Sequence, residues 1–170
     1  GSYERSAKSD IAMRVIADHI RAVVLIIADG QMPSSTGAGY VLRRILRRAV
    51  RYYYSFLGVQ APLMYKLLPI VADMFDGTFD EVRAQENFIT NVIKGEEESF
   101  LRTLSSGLRR IEELTIENNT LSGAAAFELY DTYGFPIDLT KLIATEKGWT
   151  LDEEGFEAAL AEQKKRSRED

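Results

Sequence analysis

"GYVLRRILRRAVRYYY", residues 39–54, packs five arginines into the nine positions from Arg43 to Arg51 with no acid among them. At roughly 100° per residue, counted from Val41, the side chains of Leu42, Ile45, Leu46, Ala49, Val50 and Tyr53 fall within an arc of roughly 40° to 180°. Arg43, Arg44, Arg47, Arg48 and Arg51 fall between roughly 200° and 340°. The stretch therefore reads as a helix with one apolar face and one wholly cationic face. Solvated helix faces usually mix signs, and neighbouring like charges repel by about a few tenths of a kcal/mol per pair. The row needs an anionic counterpart, either carboxylates of the chain itself or phosphates, and the planar fork of a guanidinium suits both.

The rest of the chain sharpens that need. Six cations and no acid lie between Asp29 and Asp73, while the net charge of all 170 residues is −5, so the remainder carries −11. A 45% hydrophobic content and a 28% charged fraction belong to an ordinary folded protein, not a disordered one. No cysteine and a single histidine exclude a disulfide framework and make a metal centre of thiolates or imidazoles implausible. The longest apolar run, Ala22 to Ala28, is far shorter than the ~20 residues of a membrane span. These features suggest a cytoplasmic chain. The opening Gly-Ser, without an initiator Met, reads as a cloning scar.

Apolar spacing near 3.6 dominates and no sustained alternation appears, which predicts an all-α protein, an irregular helical bundle. Helices are expected from Ser9 to Asp29, from Gly39 to Gly58 and from Leu63 to Met74, followed by one long helix, or two in line, from about Gly77 to Leu114. Gly95 and Gly107 each weaken that helix by about 1 kcal/mol. Asn118 and Asn119 mark a boundary. Beyond it Ser122 caps a helix ending at Gly134, "PIDL" opens one ending at Gly148, and Asp152 caps the last. The division expected is a scar and tail over 1–8, a subdomain over 9–117 that includes the long helix, and a smaller one over 118–170. The terminal "KKRSRED" reads as a frayed, solvated end, and Glu96, Glu97 and Glu98 as a solvated turn.

Two features point toward phosphate and base chemistry. "SSTGAG", residues 34–39, offers hydroxyls and open backbone N–H groups at a helix N-terminus, where the macrodipole favours anions; it lacks the "GK[ST]" of a nucleotide-binding P-loop. Asp131 stands in the last turn of its helix, where a carboxylate faces the negative end of the dipole at a cost of up to about 1 kcal/mol. A neighbouring Arg or backbone N–H would satisfy it structurally. On a nucleic-acid surface it would accept from a base amino group, and guanine's 2-amino group is the one distinctive minor-groove donor. His19 reads as a packed or surface residue, and Trp149 and the three tyrosines 52–54 read as packing anchors. No acid, base and nucleophile set stands out.

"RVIADHIR", "IADGQMPSSTGAGYVLRRILRRAVR" and "LYDTYGFPIDLT", in this order, resemble the alanyl-tRNA synthetase family across essentially the whole chain. The resemblance is to the helical region between the aminoacylation and editing domains. It implies recognition of the acceptor stem of alanine tRNA and its G·U wobble pair, with those flanking domains as same-chain partners and a monomeric fragment. It also implies an ATP- and magnesium-dependent alanine ligation, and a zinc-binding editing site, outside these residues, so the chain by itself holds no cofactor and no complete active site. In the family the aspartate of "LYDTYG", here Asp131, works with an asparagine after the "DGxxP" loop. This chain has Ser35 at that position, and Ala38 where an arginine is common. The implied tRNA-binding set is Ser35, Arg43, Arg44, Arg47, Arg48, Arg51 and Asp131. A rival expectation is a helical interaction module whose basic face docks on an acidic protein surface or a neighbouring domain.

Overall fold

The structure, a computed structural model, describes residues 2–170. Eight α-helices account for most of them: α1 (Ser2–Ala28), α2 (Gly37–Leu57), α3 (Leu68–Phe75), α4 (Asp80–Ala84), α5 (Glu86–Glu113), α6 (Gly123–Tyr133), α7 (Ile137–Glu146) and α8 (Glu153–Glu169). The chain divides into two compact units, one ending at Arg102 and one running from Thr103 to Asp170.

In the first unit, α1 and α2 pack together as a helical hairpin. Ile16, Ile20, Val23, Val24 and Ile27 bury the stripe of α1 that the periodicity identified, and Leu42, Leu46, Ala49, Val50 and Tyr53 bury that of α2. The Ser9 hydroxyl donates to the Phe56 carbonyl, joining the far ends of the hairpin. α1 is already helical from Ser2, earlier than the apolar pattern required, and those added turns are exposed. Gly58 ends α2 in the left-handed region, φ 69°, where a side chain would be strained. The expected helix from Leu63 is a 3-10 turn, Met64–Leu67, that runs into α3.

The long helical stretch is two helices. Gln85 leaves helical geometry at φ −109° and sends its side-chain amide to the Ala28 carbonyl, 3.2 Å away, closing the C-terminal end of α1. Its own carbonyl accepts from Ile89, starting α5. Both Gly95 and Gly107 lie inside α5; a Cβ at Gly107 would come within 2.4 Å of the Phe135 ring, so the glycine is what lets that ring sit against the helix.

The second unit has a core of Leu121, Ala126 and Phe156, with Trp149, Tyr130 and Leu160 packed on it. Asn118 and Asn119 take left-handed backbone, φ 52° and 57°, which asparagine tolerates. The turn leads into β1 (Thr120–Leu121), which pairs in parallel with β2 (Thr150–Leu151), a pair of two-residue strands too short to leave an alternating sequence pattern. The Ser122 hydroxyl accepts from Ala125 N–H and the Asp152 carboxylate from Gly155 N–H, each capping its helix as its sequence position suggested. Against expectation, α8 stays helical through the basic tail to Glu169, although those residues are solvated.

Candidate nucleic-acid interface

The cationic face of α2 is only partly a surface. Arg47 and Arg51 are 8% and 6% exposed, and the other three arginines are half-buried. Glu96 of α5 accepts from Arg43 Nε at 2.9 Å and from Arg47 Nε at 2.8 Å through the same oxygen. The Arg47 guanidinium also lies 5.0 Å from the centre of the Phe100 ring, and that of Arg51 4.9 Å from Phe56. Burial holds the Arg47 pKa below its usual value despite the opposing pull of Glu96. The row therefore meets part of its need for an anion within the fold.

This overturns the reading of residues 96–98 as a solvated turn. Glu98 is exposed, but Glu96 and Glu97 are buried in the middle of α5. Glu97 is fully buried: one oxygen accepts from Tyr53 O–H at 2.7 Å and from the backbone of Leu63 and Met64, the other from that of Tyr65. The carboxylate caps the 3-10 turn from a distant helix, where the open N–H groups and the dipole favour negative charge. Desolvation first, and then the adjacent Glu97 charge, push the Tyr53 phenol well above its ordinary range. A sequence signal existed: positions 93, 97, 100 and 104 continue the apolar stripe, and a carboxylate on such a stripe needs buried partners.

Arg43 and Arg48 keep their outer nitrogens at the surface. Arg43 meets Glu96 only through Nε, with its side chain 29% exposed. Arg48 has no carboxylate partner among the described residues; its guanidinium stands 6.0 Å from the Tyr52 ring and its Nε is sealed without an acceptor. Arg44 is half-buried and engaged. Ser35 is exposed in the loop before α2. That loop folds tightly onto the first turn, since a Cβ at Gly39 would meet Met32 O at 2.3 Å. Thr36 at the N-cap makes no side-chain capping bond.

In the second unit, Asp131 is exposed near the end of α6, and its Oδ1 accepts from Gln163 Nε2 of α8 at 2.7 Å. The bond offsets the dipole's penalty and fixes the carboxylate's direction, and Oδ2 keeps no protein partner among the described residues. Gln163 was missed in the sequence because nothing but the packing of α6 on α8 brings it to Asp131.

The family description "tRNA synthetases class II (A)" matches residues 1–170. The chain belongs to that family. Within it, the chain is similar to the alanine–tRNA ligases of Christiangramia forsetii, 59% identical over 99% of the chain, and Flavobacterium psychrophilum, 56% over 97%. That of Porphyromonas gingivalis is 53% identical over 98%. The chain spans about one fifth of the length of these relatives. Among the described residues no group of three His, Cys, Asp or Glu lies close enough together to hold a metal ion. Among the same residues no helix is long and apolar enough to cross a membrane.

Proposed function

We propose that this chain binds the acceptor stem of alanine tRNA as the recognition region of an alanine–tRNA ligase, reading the G·U wobble pair. In this reading ATP, magnesium and the ligation belong to an aminoacylation domain of the same polypeptide, and zinc to its editing domain. The observation that supports it most is the exposed Asp131 carboxylate, held through Oδ1 by Gln163 with Oδ2 open. A carboxylate so held accepts from a guanine 2-amino group, and the wide, shallow minor groove of RNA admits such a contact. Ser35, with a shorter side chain than asparagine, adds a hydroxyl that both donates and accepts. Arg43 and Arg48, with Arg44, supply phosphate contacts that fix register. Arg47 and Arg51 sit behind them, so substituting either perturbs folding as well as RNA affinity.

The test is binding of acceptor-stem hairpins carrying G·U or G·C. Asp131→Ala is expected to lower affinity for the G·U stem selectively; equal loss on both hairpins removes the reading role. Arg48→Gln is expected to weaken both alike and to flatten the salt dependence by about one unit of slope. The rival reading, docking of the basic face on an acidic protein surface or neighbouring domain, is favoured by Glu96, which shows that carboxylates already engage this face. Under it, the isolated chain retains no hairpin.

A further inference from the structure

The only histidine of the chain, His19, lies on α1 ten residues from the Ser9–Phe56 bond that joins the hairpin, and Arg48 lies eight residues from it on α2, so the two share a level of the packed pair. Its Nδ1 is sealed from solvent without a hydrogen-bond partner, and so is Nε of Arg48. Neither residue has a carboxylate bonded to it among the described residues, and their outer nitrogens, Nε2 of the ring and the Nη pair of the guanidinium, are not sealed. Neither nitrogen-bearing head has an oxygen of the described residues to receive its protons. Burial, and then the Arg48 charge, hold the imidazole below its usual pKa, with only Asp18 opposing. α3 and α4 also pack on α1. Their charged groups are Asp73, Asp80, Glu81 and Arg83, and Arg83 is occupied by Asp73, Asp76 and Glu86.

We infer that His19 and Arg48 form an oxyanion site on the α1–α2 hairpin, in which imidazole Nε2–H and the guanidinium Nη groups donate together to one phosphate oxygen. The neutral tautomer with the proton on Nε2 leaves the sealed Nδ1 as a lone pair, cheaper to bury unpaired than an N–H bond and its charge. Arg48 supplies the charge and His19 the second donor. An anion seated there favours imidazolium, so its binding draws His19 toward protonation and strengthens as pH falls through the histidine range. The oxygen belongs to an RNA phosphodiester or to free phosphate. The first source rests on the acceptor-stem reading; the second does not.

With one histidine, a proton NMR titration of the intact chain reads His19 directly. It is run without anion, with inorganic phosphate, and with the G·U hairpin. Both anions are expected to raise the His19 pKa by about one unit. In Arg48→Gln the free value is expected to rise and the anion-dependent shift to vanish. If neither anion moves His19, or if the shift persists in full in Arg48→Gln, the site is wrong. A shift with phosphate but no hairpin binding leaves the site standing and sinks the acceptor-stem reading. Tight hairpin binding that leaves His19 unmoved does the reverse for RNA. His19→Gln guards against misfolding effects: it retains an amide donor, so it is expected to bind the hairpin with pH-independent affinity between pH 6 and 8, and a pH dependence unchanged from the parent chain overturns the inference.

Discussion

The junction around Glu97 and the junction around Gly123 hold helices together by opposite means. At Glu97 a buried carboxylate reaches across to a phenol and three backbone N–H groups. At Gly123 nothing reaches at all: a Cβ there would stand 2.3 Å from the backbone of Gly155 and Phe156, so α6 and the start of α8 meet main chain to main chain. The first unit buries charge and must satisfy it, as Glu96 does for Arg43 and Arg47. The second buries apolar surface and keeps its ion pairs exposed or half-exposed, as with Lys141–Glu153 and Arg110–Glu128. Glu96 and Glu97 are therefore structural elements, whereas the Lys141–Glu153 and Arg110–Glu128 pairs are surface groups, which changes how their mutations should be read.

The contrast is broken most directly at Glu97. Glu97→Ala leaves four donors without an acceptor in a dry site and is expected to cost about 3–5 kcal/mol, read by urea denaturation. A cost near zero would mean water replaces the carboxylate. Gly123→Ala follows, at about 2–3 kcal/mol from overpacking against backbone that cannot yield. A free substitution would show that the helices can part there. Alkaline titration sharpens the contrast further. The native chain holds the Tyr53 proton above the pH, about 10, at which the unfolded chain releases it. Its contribution is thus complete below pH ~10 and is lost as pH rises, by up to about 1.4 kcal/mol per unit. Absorbance should show one tyrosine ionising only on unfolding. The smallest effect expected is Ser122→Ala, about 1 kcal/mol for a lost N-cap, measured as a shift of the thermal midpoint.

Much of the fold was legible. Ser122, Asp152, Gly58 and Gly134 end or begin helices where their chemistry predicts, because capping is local and each signal lies within a few residues of its effect. The position of the break at Gln85 was not legible: its side chain is tied to a carbonyl 57 residues away, at Ala28. The same distinction runs through the candidate site. The arginine row and the misplaced aspartate are visible in sequence, since each violates a local expectation. Their partners are not, because Glu96 is 49 residues from Arg47 and Gln163 is 32 from Asp131. Composition alone puts three consecutive glutamates at the surface, whereas their place on the stripe of Ile93 and Phe100 sets two of them inside.

The short parallel pair of β1 and β2 closes a ring that contains both α6 and α7. Its bonds, from Thr150 N–H to Asn119 and from Asp152 N–H to Leu121, link stretches about thirty residues apart. Those two amides thus report on the opening of the segment that carries Asp131. Deuterium should enter them at the rate at which that whole segment opens, not at the rate of any single helix end.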